Sequence, residues 1–188
     1  VTEMITGIDL VEWQLRVASG EELPKLQDDI TQSGHAIEAR LYAEDPSNDF
    51  VPGFGALTHL HIPAEGGGLR IDSGVRQGDE VTIHYDPMIA KVIARAPDRA
   101  AACAALSDVL GAVRVAGPAT NERFLKAIAD HPVFREGAFD TGFIAKYLSN
   151  LAPSEPGNSA KIIALAALSE LLRAPSVTDD SPWSLSNH

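Results

Sequence analysis

The chain has 188 residues, 45% hydrophobic and 22% charged, a composition typical of a globular protein with a substantial core. Its 15 Lys and Arg residues against 26 Asp and Glu residues give a formal net charge of -11, which disfavours nucleic acid and anionic membrane surfaces as partners. A single cysteine, Cys103, excludes an intramolecular disulfide and favours a reducing compartment. The sequence also lacks the apolar run of roughly 20 residues that crosses a bilayer.

The first predicted helix covers residues 8–18, where apolar residues recur at helical spacing. Thr6, three positions before Asp9, is the expected capping residue, and Gly20 is the expected stop signal. Few residues precede this helix and the chain opens on Val1 rather than Met. We therefore expect a trimmed or truncated product that begins inside a larger fold.

The stretch from Gly34 to Pro46 predicts an extended strand, in which successive side chains point to opposite faces. One face is mostly apolar and the other carries a charge pair: His35, Ile37, Ala39 and Leu41 against Ala36, Glu38, Arg40 and Tyr42. An arginine two residues from a carboxylate is either a structural ion pair or a fixed cation aimed at a ligand oxygen. The spacing alone favours the ion pair.

Short alternating runs separated by glycine and proline predict an antiparallel sheet over residues 57–62, 69–72 and 80–84, and the run at 88–94 is typical of a central strand. The run Gly66-Gly67-Gly68 lies between two strands, so we interpret it as a turn rather than a phosphate cradle. His59 and His61 share a strand face, but two histidines without a third ligand favour no metal site.

Helices dominate the second half of the chain. Asp98 is the expected cap of a helix that contains Cys103, a strand follows at 112–115, and Pro132 is expected to end a helix over 121–129. A short helix is predicted to begin within 140–144 and to end near Leu148. The fold class is therefore α+β, an antiparallel β-sheet with packed helices.

The composition changes after this helix. Residues 153–158 are typical of a linker, and residues 160–173 predict a helix with a wide apolar face. Such a face either docks on the preceding domain or binds a partner.

Five segments, in order along the chain, resemble the carboxyl-terminal part of biotin carboxylases. They are VTEMITGIDL at 1–10, GHAIEAR at 34–40, AEDP at 43–46, YDPMIAK at 85–91 and TN at 120–121. The resemblance covers about residues 1–148. The segment after it, with Ser181-Pro182-Trp183, looks like the region that follows the carboxylase in methylcrotonyl-CoA-type biotin subunits.

This resemblance implies the C-terminal lobe of the biotin carboxylase, or ATP-grasp, fold. It assigns residues 1–20 to the tail end of the ATP-grasp domain and residues 21–148 to the biotin carboxylase C-terminal domain. Residues 149–188 become a linker and the start of an inter-domain region.

The implied activity is that of a ligase that uses ATP, Mg²⁺ and bicarbonate to carboxylate the ureido nitrogen of biotin. Arg40 matches the family's arginine that holds the ureido oxygen. Phe143 falls where the family places an apolar side chain near the adenine of ATP, although a core aromatic is an equally good interpretation. Arg70 and Asp86 fall near the family's subunit interface, with ordinary ion pairs as the alternative.

The family's magnesium and ATP ligands lie upstream of the segment that matches Val1-Thr2-Glu3. We therefore expect this chain alone to be inactive and to bind no cofactor tightly. The implied partners are the upstream ATP-grasp lobe, a biotin carrier domain, a carboxyltransferase subunit and a second carboxylase lobe. The implied location is the bacterial cytoplasm or the mitochondrial matrix.

Two questions stay open at this point. The acyl-CoA of the parent enzyme is methylcrotonyl-, propionyl-, acetyl- or geranyl-CoA, because acyl selection belongs to the carboxyltransferase subunit. The alternative function is a non-catalytic assembly module that docks subunits through the sheet and the helix at 160–173.

Overall fold

The computed structural model describes residues 1–151 and 160–173, and the chain divides into two compact units, Val1–Pro153 and Ser154–His188. The helices are α1 (Thr2–Thr6), α2 (Leu10–Ala18), α3 (Arg99–Ala112), α4 (Glu122–Asp130), α5 (Pro132–Glu136), α6 (Phe143–Leu151) and α7 (Ala160–Arg173). The strands are β1 (His35–Tyr42), β2 (Glu44–Asp45), β3 (Val51–Pro52), β4 (Gly55–Ala56), β5 (His59–His61), β6 (Leu69–Ser73), β7 (Glu80–Val81), β8 (Met88–Ala96) and β9 (Arg114–Ala116). The predicted linker at 153–158 and the Ser181-Pro182-Trp183 segment lie outside the described residues.

The strands pair antiparallel, as predicted. A three-stranded sheet has the order β1-β8-β6, and shorter two-stranded sheets form from β2 and β3, β4 and β7, and β5 and β9. The expected α+β class is therefore confirmed, although the strands of the described chain are distributed over several sheets. Among the described residues, none of the helices combines the length and the apolarity that crossing a bilayer requires.

The alternation predicted for β1 is confirmed. Ile37, Ala39 and Leu41 are buried, whereas Arg40 between them is exposed. Across the sheet, Ile37 faces Ala94 and Ala39 faces Val92 of β8. Because side chains alternate along a strand, packing this apolar face into the core directs the residues between them to the opposite face.

Helix α3 covers the apolar face of the sheet. Asp98 is its N-cap, as predicted, and accepts a hydrogen bond from the Ala101 amide at 2.8 Å. The main core cluster joins helix and sheet residues: Ile37, Ala39, Val92, Ala94, Ala102, Cys103, Leu106, Leu110 and Ala129. Burial raises the pKa of the Cys103 thiol, which fits a packing residue rather than a nucleophile.

One local prediction was wrong. The cap of α2 is Asp9, whose Oδ1 accepts from the Glu12 amide at 2.9 Å, while Thr6 belongs to the separate helix α1, which Gly7 ends at φ 70°. The helix predicted to end at Pro132 does so, since α4 stops at Asp130, and Pro132 then begins α5. A proline needs no N–H partner in the first turn, and its fixed φ suits that position.

Two further differences concern helix extent and burial. Helix α6 continues to Leu151, past the predicted end near Leu148. The apolar stripe of α2 is not buried, and Leu15 is 66% exposed.

The glycine run lies between β5 and β6, where the sequence predicts a turn. Gly68 has φ +93°, and a Cβ at this position would lie 2.5 Å from the carbonyl oxygen of Arg95. Glycine is therefore needed here so that β8 can approach the start of β6.

Candidate functional site

The face of the three-stranded sheet opposite α3 carries charged residues from all three strands. In the strand register, Arg40 of β1 faces Lys91 of β8, and Lys91 faces Asp72 of β6. Ile93, two residues after Lys91, is buried on this same face. Adjacent cations on neighbouring strands repel each other, so this arrangement favours carboxylates and anionic ligand groups nearby.

Arg40 is an exposed cation on this face of the sheet, and its side chain has a bonded partner. Its side chain is 59% exposed, and its Nε donates to Oε1 of Glu38 at 3.2 Å. The carboxylate of Glu38 and, secondarily, Tyr42 raise the pKa of Arg40, so the guanidinium stays charged at any physiological pH. The bond at Nε orients the guanidinium plane, and the Nη nitrogens carry its remaining N–H donors. Such a group can hold an oxygen that gains negative charge.

The end of β1 is tied to the turn that precedes β8. The Ala43 amide donates to the carbonyl of Pro87 at 2.9 Å, and the Ala43 carbonyl accepts from the Gly53 amide at 2.8 Å. Asp86 accepts from the Met88 amide at 3.1 Å, which caps the same turn. The segments at 34–46 and 85–91 therefore meet beside Arg40, as residues of one site should.

A cavity of about 470 Å³ opens beside this turn. Its lining includes Asp72, Glu80, Val81, Tyr85, Asp86 and Met88. Arg40 and Lys91 do not line it, and its three carboxylates would repel an anion. The chemistry of an oxyanion contact therefore points to the Arg40 face and not to this cavity.

Asn121 was missed as a site residue by sequence reasoning, which treated it as the start of a helix. Its side chain is buried and bonds the backbone of Arg40 and Tyr42. The only sequence signal was its place in the Thr120-Asn121 segment, because a contact across 81 residues leaves no local pattern.

Arg70, predicted near a subunit interface, lies in an ion-pair cluster within the chain. Its Nη1 donates to Glu3 of α1 at 2.5 Å, and its Nε donates to Asp72 at 2.8 Å. Asp72 and then Glu3 raise the pKa of Arg70. The Leu10 amide, followed by Arg70, lowers the pKa of Glu3. These contacts match the ion-pair alternative for Arg70, and interface roles for Arg70 and Asp86 stay predictions.

Phe143 is buried, with 6% of its surface exposed. It packs in an aromatic cluster with ring centroids 5.1 to 6.0 Å away, formed by His131, Phe134, Phe139 and Tyr147. This packing fits a core aromatic, and the contact with adenine stays a prediction.

His59 and His61 are exposed on β5, opposite Ala116 and Arg114 of β9. No group of three or more His, Cys, Asp or Glu side chains that could hold a metal ion occurs within the part of the chain that the structure describes.

Comparisons with known proteins give two family matches. The model of the biotin carboxylase C-terminal domain matches residues 38–146, and that of the carbamoyl-phosphate synthase L chain, ATP binding domain, matches residues 1–26. The mitochondrial methylcrotonoyl-CoA carboxylase subunit alpha of Mus musculus is 47% identical over 95% of this chain and 25% of its own length. The biotin carboxylase of Halalkalibacterium halodurans is 46% identical over 79% of this chain and 32% of its own length. The chain thus spans about a quarter to a third of these relatives.

Solved structures give the same result for the fold. The biotin carboxylase domain of thermophilic 2-oxoglutarate carboxylase bound to bicarbonate has a TM-score of 0.79 and 36% identity, covering 82% of this chain and 34% of that chain. Rhizobium etli pyruvate carboxylase T882A with acetyl coenzyme-A has a TM-score of 0.81 and 34% identity, covering 89% of this chain and 16% of that chain. The α+β architecture is therefore that of biotin carboxylase domains.

The bonds that the Glu3 carboxylate accepts from the Leu10 amide and from Arg70 predict a pH-dependent contribution to stability. Because folding lowers the pKa of Glu3 from 4.5, its stabilisation is present above pH 4.5 and is lost as the pH falls through the folded-state pKa. Glu3→Gln should lower the free energy of unfolding by up to about 1 kcal/mol at neutral pH, since both side chains are partly exposed. Urea denaturation at several pH values should show this difference shrinking in acid.

Glu22→Gln, at an exposed carboxylate in the loop after α2, is the matched control and should show no such trend. An equal loss for Glu3→Gln at neutral and acidic pH would mean that the charge of the Glu3 carboxylate is not its cause.

Proposed function

The chain belongs to the biotin carboxylase C-terminal domain family, and from that premise we propose that it is the C-terminal part of the biotin carboxylase component of a biotin-dependent acyl-CoA carboxylase. The reaction is the ATP- and bicarbonate-dependent carboxylation of biotin. The observation that carries this proposal is Arg40, an exposed guanidinium oriented by Glu38 on strand β1. Identity of 43 to 47% to methylcrotonoyl-CoA carboxylase alpha subunits, over 95% or more of the chain, supports the methylcrotonyl type.

In this proposal Arg40 binds the ureido oxygen of biotin. When the ureido nitrogen loses its proton, negative charge develops on that oxygen, and a fixed cation stabilises the charge by charge-assisted hydrogen bonds. Glu38 holds the guanidinium in place before biotin binds, so the side chain loses little further rotational freedom on binding. The guanidinium stays protonated throughout, so Arg40 is an electrostatic stabiliser and not a base.

Biotin, ATP and Mg²⁺ are the proposed cofactors of the full-length polypeptide. One solved relative is described as a complex with MgADP, ADP and bicarbonate, which supports this set. The described residues fit the biotin contact, because Arg40 supplies donors for an oxyanion. In the family that the chain resembles, the ligands of Mg²⁺ and ATP lie upstream of the segment that matches Val1-Thr2-Glu3, so we assign both to an ATP-binding part that precedes this segment.

The proposed organisation follows the family. Residues 1–20 form the tail end of the ATP-grasp domain, residues 21–148 the C-terminal domain, and residues 149–188 the start of an inter-domain region. The match of residues 1–26 to an ATP-binding domain supports the first assignment. The proposed partners are an ATP-grasp lobe, a biotin carrier domain, a carboxyltransferase subunit and a second copy through Arg70 and Asp86. We place the protein in the bacterial cytoplasm or the mitochondrial matrix, the latter in line with the mitochondrial relatives.

Replacement of Arg40 tests the proposal directly. In the full-length polypeptide, Arg40→Ala should lower biotin carboxylation by roughly 10²-fold, because it removes the donor to the developing oxyanion. Arg123→Ala is the matched control, since both arginine side chains are 59% exposed and both lie beside a carboxylate. Carboxylation of free biotin, followed as ATP turnover, is the measurement.

The control should retain normal activity, and Arg40→Lys should recover only part of the loss, because an ammonium group lacks the planar fork of guanidinium. Unchanged carboxylation in Arg40→Ala would remove Arg40 from the mechanism.

The assembly module is the second candidate function, and α7 is the observation that favours it. Four large apolar side chains on this helix are at least half exposed: Ile163, Leu165, Leu168 and Leu172. A helix that exposes this much apolar surface is typical of an interaction site.

Changing Leu168 and Leu172 to serine tests this second function. If α7 docks subunits, the variant should shift to a smaller species in size-exclusion chromatography with light scattering, because the apolar contact is lost. The control variant changes Leu23 and Leu26 to serine, because these residues are 60% and 72% exposed in a loop and their replacement also removes apolar surface. An unchanged association state and solubility would exclude docking through α7.

A further inference from the structure

Asn121 is a buried polar residue that bonds the backbone of β1 at Arg40. Only 3% of the surface of Asn121 is exposed. Its Oδ1 accepts from the Tyr42 amide at 3.0 Å, and its Nδ2 donates to the Arg40 carbonyl at 3.3 Å and to Oε1 of Glu44 at 2.7 Å. Its own amide donates to the Tyr42 carbonyl at 3.2 Å. Every side-chain polar atom of Asn121 therefore has a partner in this corner of the fold.

These bonds lie at the free edge of the three-stranded sheet. Among the described strands, β1 is the outer strand of that sheet and pairs with β8 alone. Backbone groups two residues apart in a strand point the same way, so the Arg40 carbonyl and the Tyr42 amide present one donor and one acceptor at this edge. The carboxamide of Asn121 matches them as the peptide group of a neighbouring strand would. The carboxamide thus adds one donor and one acceptor to the hydrogen-bond ladder of β1, at Arg40.

The ladder needs this support because the pairing with β8 is irregular here. Leu41 faces Ala90, but Tyr42 faces Met88, so the register shifts between Leu41 and Tyr42. Such an irregularity interrupts the ladder and bends the strand. Arg40 itself pairs in register with Lys91, but the strand end that follows it depends on contacts from outside the β1 and β8 pair.

The Asn121 side chain bonds β1 and does not cap its own helix. It precedes α4 at the N-cap position, where an asparagine side chain normally accepts from an amide of the first turn. The Asn121 side chain makes no such bond. The carboxamide bonds the strand instead. Glu44 accepts from Nδ2, which keeps Nδ2 towards the Arg40 carbonyl and Oδ1 towards the Tyr42 amide.

We propose that Asn121 is a positioning residue for biotin carboxylation, which holds the backbone of Arg40 so that its guanidinium meets the ureido oxygen. Glu38 fixes the side chain of Arg40, and Asn121 fixes the strand from which it projects. This inference rests on the proposed role of Arg40. It adds a residue 81 positions away in the chain that acts through Arg40 and does not touch biotin.

A double-mutant cycle in the full-length polypeptide tests the inference. Asn121→Ala should lower kcat/KM for biotin by about 10- to 100-fold, the loss expected when a reacting group is displaced by about 1 Å, and should leave KM for ATP unchanged. In the Arg40→Ala background, Asn121→Ala should cause no further loss, because the residue acts through Arg40. Two results would overturn the inference. One is a further 10- to 100-fold loss of kcat/KM for biotin in the Arg40→Ala background, and the other is a rise in KM for ATP as large as the loss of kcat/KM for biotin.

Ser107→Ala is the matched control for loss of a buried polar partner. Ser107 is 4% exposed and accepts from Lys126 at 2.7 Å between α3 and α4. It should lower the melting temperature without changing kcat/KM for biotin. An equal kinetic loss in Ser107→Ala would assign the effect of Asn121→Ala to general destabilisation and reject the positioning role.

A second variant keeps the test valid if Asn121→Ala does not fold. Asn121→Asp combined with Glu44→Gln preserves side-chain volume and the contact between positions 121 and 44, but leaves no donor for the Arg40 carbonyl. A folded double variant with normal kinetics for biotin would reject the inference. If Arg40→Ala itself has normal kinetics, the proposed function of Arg40 fails instead, so the two failures are distinguishable.

Discussion

The antiparallel pairing of β1 with β8 is the constraint on which the site depends. Ile37 and Ala39 of β1 pack with Val92 and Ala94 of β8 beneath α3. Since side chains alternate, burial of this face directs Arg40 to the opposite one. A slip of one residue would carry the guanidinium into the core, and the free energy of core packing opposes that slip. The hydrophobic core therefore sets the direction of the charged residue.

Four of the segments that resemble one family are distant in sequence but adjacent in the fold. Backbone bonds join the end of β1 to the turn before β8 through Ala43 and Pro87, and the Asn121 side chain joins both Arg40 and Glu44. Four of the five segments therefore meet at this end of β1, whereas the first segment, residues 1–10, contacts Arg70 through Glu3.

Sequence reasoning was reliable where one local pattern dominated. Alternation predicted the faces of β1, and Asp98 predicted the start of α3, because both features depend on neighbouring residues. It failed where two local signals competed, as when Asp9 rather than Thr6 capped α2. It could not find the role of Asn121, because the cap position favoured a local bond and the real partners lie 77 to 81 residues away. Arg40 was identified by resemblance, since the spacing alone favoured an ion pair.

The central claim is that Arg40 contacts the ureido oxygen of biotin from a strand held by the core and by Asn121. The most direct measurement is a crystal structure of the full-length polypeptide with biotin bound. The account predicts an Arg40 guanidinium nitrogen about 2.7 to 2.9 Å from the ureido oxygen, with the bond from Asn121 to the Arg40 carbonyl intact. Biotin bound with its ureido oxygen on another side chain, and Arg40 paired only with Glu38, would contradict it.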